Sequence, residues 1–410
     1  MSSPRLWTDL ECIHVGLTLQ QLARSEPSPL NVITDHKSTV RAVRALQSGV
    51  DRLRSLTLHL RHDDLLEVFP VLSARVPILE HLKVSVDYDL TNMRASIPES
   101  FLGSSTPALK SLHLENINTK LNFSKFPALT RLTLITSSGY DIFHVSELFQ
   151  IFRSAELLEE VSVEFCCKEV IVEHKSIVHL PRIRKLSFSN SSGGIFPTGL
   201  LSPLEIPCVE EVKLSISLGP YDTRTMGDFS PPHLLEADSL ELGVHYPSCN
   251  ILLRRPGRAV SINAQGGYPG EEFLYRWLGP LDPRPMANVK DLTLKNYTSP
   301  TGDPCPVLEF LKSMDRLRSL TLKQCKNDTI MEKLSPSKEG NIWFPQLESL
   351  TLWEPTSVFP SLTDMARARG NAGFPLSTVS FYQRVTTFGF SSPNIDSLKS
   401  CVGGVQIFER

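Results

Sequence analysis

Three histidines, His59, His81 and His113, fall on or beside consecutive Leu-x-Leu phrases, at positions that face away from the leucines. Neighbouring strands lie only ~5 Å apart, so imidazoles on adjacent strands are close enough to share a metal ion. These three belong to different columns, and Lys83 stands among them, so they read as solvated polar residues and no metal is expected. Arg254, Arg255 and Arg258 form one compact basic cluster suited to an acidic partner or a phosphate; Pro256 and Gly257 inside it mark a surface loop. The run GGYPGEE, Gly266 to Glu272, has the glycines of a phosphate loop without its lysine and reads as a flexible turn. The sequence has no Gly-x-Ser-x-Gly elbow, HExxH or Walker-type Gly-Lys-Ser/Thr, so neither catalysis nor a cofactor is expected.

The residues best suited to binding are Trp353 and Tyr382, because large aromatics are enriched at binding hot spots, together with Lys323 and Lys295. The competing reading is that the two aromatics pack against the C-terminal tail, with Phe388, Phe390 and Phe408, and cover the end of the chain's repeats.

What must position these side chains is a repeated unit. The phrase DRLRSLTL occurs at Asp51 to Leu58 and again at Asp315 to Leu322, and Leu347 to Leu352 is a near-copy. The underlying pattern, Leu-x-x-Leu-x-Leu, starts at Leu53, Leu79, Leu109, Leu129, Leu158, Ile183 and Val209, and after a weaker passage at Val289, Leu317, Leu347 and Leu376. Successive starts differ by 26, 30, 20, 29, 25 and 26 residues before that passage and by 28, 30 and 29 after it, the spacing of leucine-rich repeats. In Leu-x-Leu both apolar residues face one side of a short strand. One such strand cannot bury that side alone, whereas stacked parallel strands can. The expected fold is therefore α/β: an irregular leucine-rich-repeat solenoid of about twelve units, with a curved parallel sheet and helices and loops on its convex side.

Residues 1–50 read as an N-terminal helical cap, with a stripe through Leu17 and Leu22 and a second through Val40, Val43, Leu46 and Val50. Leu30, Val32 and Ile33 suit a short first strand between them. Residues 51–410 read as the solenoid. Its return segments look helical at Asp64 to Ala74 (through Leu65, Leu66, Phe69 and Leu72), Val145 to Phe152 and Val307 to Met314. A proline two residues before the first apolar position, at Pro77, Pro107, Pro127, Pro181, Pro207 and Pro345, is expected to set an extended approach to the strand. The weak passage, 219–287, reads as two degenerate repeats with loops, or else as a hinge between half-solenoids.

The 410 residues carry a formal net charge of -2, which argues against nucleic acid as the main partner, since such binding starts by neutralising phosphates. No run approaches the ~20 apolar residues of a membrane helix, and MSSPRLWTDLE does not look like a secretory signal. A cytoplasmic or nuclear protein without membrane partners is expected, with its eight cysteines as free, mostly buried thiols. The sequons at Asn122, Asn190, Asn296 and Asn327 are then chance matches.

Two stretches resemble a known family. Ser2 to Leu10 (SSPRLWTDL), with Leu22-Ala23-Arg24-Ser25 and Pro29-Leu30-Asn31-Val32, resembles the segment that joins an F-box to its repeats in the F-box/leucine-rich-repeat proteins of mushroom-forming fungi. Leu362 to Arg369 (LTDMARAR), followed by Pro375-Leu376, is similar to their last repeat. The usual repeat consensus also places Asn or Cys three residues after the third apolar position, and here only Cys166 and Cys325 comply. The resemblance implies a substrate-recognition region of a ubiquitin ligase adaptor. An F-box upstream of Ser2, which these residues do not supply, would dock on the linker subunit of a cullin-RING ligase. The alternative is a free-standing interaction scaffold unrelated to ubiquitin. Under either reading the partner is a protein of unknown identity.

Overall fold

The computed structural model describes residues 7–12, 15–35, 37–73, 76–87, 98, 101–102, 106–117, 122–135, 145–165, 177–190, 200–218, 236–245, 248–266, 286–296, 311–325, 328–337, 342–353, 359–383 and 392–409. The chain divides into two compact units, Met1–Val212 and Lys213–Arg410. Each is mixed α/β, with mostly parallel strands.

The first unit runs β1 (Asp9–Cys12), α1 (Val15–Ser25), β2 (Leu30–Thr34), α2 (Thr39–Ala45), β3 (Leu53–Leu60), α3 (Leu65–Leu72), β4 (His81–Val86), β5 (Ser111–Glu115), β6 (Arg131–Ile135), α4 (Val145–Ser154), β7 (Glu160–Phe165), β8 (Val178–His179), β9 (Lys185–Asn190) and β10 (Leu204–Glu205). The unit boundary falls inside β11 (Glu211–Leu218). Strands β1 to β7 and then β9 pair in parallel, each with the next, and β8 pairs with β10 apart from them.

The register follows the leucine pattern. Leu56, Leu82, Leu112, Leu132, Val161 and Leu186 are successive partners, as are Leu58, Val84, Leu114, Leu134, Val163 and Phe188. None of the twelve is more than 3% exposed. Helix α3 buries Leu65, Val68, Phe69 and Leu72, the i, i+3, i+4, i+7 stripe. Leu66, which the sequence pattern includes in that stripe, is 86% exposed, because it lies one residue, about 100°, off it. Of the stripe expected in α1, Leu22 is buried, together with Thr18 and Ser25, whereas Leu17 is exposed. Strand β2 forms where Leu30, Val32 and Ile33 suit one, and β1, which has no counterpart in the leucine pattern, carries the parallel pairing further into the N-terminal 50 residues.

The prolines act differently from the expectation of an extended approach. At each, the residue two places later donates its N–H to the carbonyl of the residue just before the proline, as from Leu79 to Val76, Leu109 to Thr106 and Leu347 to Phe344. This is a β-turn with proline at its second position, where a φ near -65° is already set. The residue that opens the turn is buried at all six: Val76, Thr106 and Phe126 are at most 1% exposed, and Leu180, Ile206 and Phe344 at most 5%.

The second unit contains β12 (Ser239–His245), β13 (Ser248–Arg255), β14 (Arg258–Gly266), β15 (Asp291–Lys295), β16 (Ser319–Lys323), α5 (Asp328–Leu334), β17 (Ser349–Trp353), α6 (Phe359–Asn371), β18 (Thr378–Gln383), α7 (Ser392–Lys399) and β19 (Val405–Glu409). Strands β12 and β15 to β19 pair in parallel, with Leu240, Leu292, Leu320, Leu350 and Val379 in one buried row. The described part of 219–287 does not form two parallel repeats, since β13 runs antiparallel to both β12 and β14. The Pro256-Gly257 turn closes that hairpin, and Gly257 takes φ of +75°.

Strand exits recur too. Asn116, Asn296 and Gln324 hold φ between 51° and 58°, and each donates its N–H to the last carbonyl of the neighbouring strand, from Ile135, Lys323 and Trp353 respectively. Asparagine tolerates this left-handed backbone better than most residues. Cys325, one of the two that meet the consensus, is buried with Sγ 3.4 Å from the carbonyl oxygen of Leu294 on the adjacent strand; Cys166 lies outside the described residues. Among the described residues, no helix is long and apolar enough to cross a membrane.

Candidate functional site

The four residues chosen from sequence share one column. Strand register places Lys295 beside Lys323, Lys323 beside Trp353 and Trp353 beside Tyr382. Each is the outward residue at the end of the repeated phrase, one position beyond a buried Leu294, Leu322, Leu352 or Phe381. Alternation along the strand leaves them no other side to face.

Parallel pairing brings the rings to stacking distance. Trp353 and Tyr382 stack at 4.5 Å between centroids and 9° between planes, and Tyr382 and Phe408 at 4.6 Å and 15°. Lys323 Nζ lies 4.4 Å from the centre of the Trp353 ring, a cation–π contact. The column therefore runs from Lys323 through three rings to Phe408, which is 40% exposed. Lys295 extends it by position, but its charge is engaged with Glu241 at 2.6 Å on the neighbouring β12.

Phe408 shows that the two sequence readings of Trp353 and Tyr382 are compatible: the tail supplies a ring to the stack, and Trp353 and Tyr382 still stay half-buried. Phe388 and Phe390 lie outside the described residues. The alternation in Val405-Gln406-Ile407-Phe408, with Phe408 paired to Tyr382, adds Phe408 to the outward residues of this column.

The other chemistry-bearing residues fall elsewhere. His59, His81 and His113 occupy three separate columns, beside Ser85, Ser55 and Lys83. Among the described residues no group of three His, Cys, Asp or Glu is placed to hold a metal. His113 Nε2 is buried without a hydrogen-bond partner among them and lies 3.8 Å from Glu115 Oε2, too far for a hydrogen bond. Burial first, and the charge of Lys83 second, push its pKa below the usual histidine value. Glu164 is pushed up by burial and by Glu115.

Arg254, Arg255 and Arg258 sit at the β13–β14 tip, where Arg255 pairs with Glu236 at 3.2 Å. Of GGYPGEE only Gly266 is described. Among the sequons, Asn190 is buried, Asn122 accepts a hydrogen bond from Ser124 N–H within a turn, and Asn327 is outside the described residues. Cys12, Cys249 and Cys325 are buried free thiols, Cys208 is exposed and Cys401 intermediate. Full burial raises the pKa of Cys249 and leaves it unreactive.

No protein-family model matches this chain, and no curated protein matches it.

Proposed function

We propose that the chain is an irregular leucine-rich-repeat solenoid that binds a protein partner on its strand face, as the substrate-recognition region of an F-box-like ubiquitin ligase adaptor. The observation that carries the binding half is the Lys323–Trp353–Tyr382–Phe408 column, a partly exposed run of aromatics on a face whose other outward positions from β16 to β18 are serine and threonine. Rigid aromatics supply large contact area at little entropic cost, which is why they recur at binding hot spots. Repeat arrays commonly bind through this extended face.

The ubiquitin half rests on the resemblance of Ser2 to Leu10 and Leu362 to Arg369 to the F-box family, and the scaffold reading differs from it only there. A pull-down of the full-length gene product against the cullin linker subunit separates the two. Capture supports the adaptor; failure to capture leaves a scaffold that binds through the same face.

A further inference from the structure

We propose that the aromatic column accepts an acidic segment of a protein partner, with a carboxylate on Lys323 and an apolar side chain against the ring edges of Trp353, Tyr382 and Phe408. The inference rests on the reading of this face as a binding surface and adds the chemistry of what it binds.

Three features of the column select that partner. First, the rings stack on one another at 4.5 and 4.6 Å, so their π-faces largely cover each other and their edges point outward. Ring edges are the positive part of the quadrupole and favour carboxylate and carbonyl oxygens over cations. Second, Lys323 has no carboxylate partner among the described residues; its ammonium rests on the Trp353 ring, whereas Lys295 is neutralised by Glu241. Third, the face positions beside the column, Ser319, Thr321, Ser349, Thr351, Thr378 and Ser380, are all uncharged. Within β16 to β18 the only formal charge on this face is therefore the positive one of Lys323.

Across β16 to β18 an acidic partner meets no like charge, the neighbouring Asp291 lying beside Ser319 at the other end of the strand from Lys323, and a basic partner meets Lys323 unscreened. A single uncompensated cation suits a carboxylate beside apolar groups. It does not suit a polyphosphate backbone, which needs many cations. The face of the first unit differs, mixing Lys83, Arg131 and Lys185 with Glu115, Glu160 and Glu164.

The test is selection of a random-sequence peptide library displayed on phage against the immobilised full chain, with Trp353→Ala, Lys323→Glu and Lys323→Arg in parallel. Unchanged melting temperatures certify that the variants fold. The proposal expects peptides enriched in Asp or Glu next to apolar residues, with capture falling ~10-fold or more on Trp353→Ala and Lys323→Glu and persisting on Lys323→Arg. Peptides that require Trp353 but show no acidic enrichment overturn the acidic preference and leave the binding face standing. Absence of any Trp353-dependent peptide overturns both. A dimer seen by light scattering and dissolved by Trp353→Ala, with no peptide enrichment, assigns the face to a second copy of the chain and overturns the proposal.

Discussion

Arg369 donates from Nη2 to the carbonyl oxygen of Phe344 at 2.9 Å, although the two residues are 25 apart in sequence and Phe344 holds a left-handed φ of 51°. The same guanidinium donates to Trp343 O at 3.0 Å and to Leu334 O, the last carbonyl of α5, at 3.2 Å. Leu362, Met365, Ala366 and Arg369 form the buried stripe of α6, so a cation occupies a position the helix reserves for the core. Burial lowers its pKa to about 10, which still leaves it charged at neutral pH.

Replacing Arg369 with Met should destabilise the second unit by ~2 kcal/mol or more, since two buried carbonyls, of Leu334 and Phe344, lose their donor at roughly 1–3 kcal/mol each, and the half-buried Trp343 carbonyl loses a third bond. Arg369→Lys should recover only part of this, because a single ammonium cannot reproduce the guanidinium fork. Urea denaturation of both variants measures the difference. A loss below ~1 kcal/mol for Arg369→Met would show that water satisfies those carbonyls equally well.

Leu320, 1% exposed at the centre of the β15–β16–β17 register, should cost ~2–5 kcal/mol when cut to alanine. Its outward neighbour Thr321, replaced by alanine, should stay within ~0.5 kcal/mol of wild type. The pair of denaturation midpoints therefore reports which side of the strand is the core.

Gly403 has no room for a side chain: a Cβ there would stand 2.7 Å from the carbonyl oxygen of Ser377. That carbonyl is backbone just before β18, so it cannot swing aside as a side-chain tip would. Gly403→Ala should lower the melting temperature, and it should weaken the Tyr382–Phe408 stack by pushing β19 away from β18. Loss of the near-ultraviolet circular dichroism of the stacked rings is the readout.

Those cases also show how far the sequence could be read. Leucine spacing is sufficient for the strands that carry the repeated phrase and for their register, because a period of two with one buried side admits one pairing. The column at Lys295, Lys323, Trp353 and Tyr382 followed from the same rule. Arg369 did not, because an arginine in a helical run is usually at the surface, and its burial depends on carbonyls contributed by α5 and the turn at Phe344. The antiparallel β13 is not legible for a related reason: Leu252 and Leu253 in succession give no clean alternation, and both neighbours of the strand are antiparallel. The stack became legible only once Phe408 was set beside Tyr382 by the β18–β19 register.

Acid should weaken the first unit in a defined window. The His113 pKa is lowered on folding, so above the unfolded value of 6.5 both states are neutral and the group exerts no pull. As pH falls below 6.5 the unfolded chain takes up a proton that the folded state resists, and stability drops. His81, lowered mainly by burial, acts in the same direction. Glu164, raised on folding, opposes them as pH falls toward 4.5, because the folded state then binds a proton first. Thermal melts between pH 7.5 and 5.5 should show a decline that is shallower in His113→Gln, and equal slopes would remove His113 from the cause.

The binding role of the column is tested most directly by fluorescence anisotropy of a labelled acidic peptide taken from the selection, titrated with wild type and with Trp353→Ala of equal melting temperature. Removal of the central ring should weaken binding ~10-fold or more, as for a hot-spot aromatic. An unchanged affinity would mean that the stacked rings only close the end of the sheet, and it would contradict their assignment as the partner-binding surface.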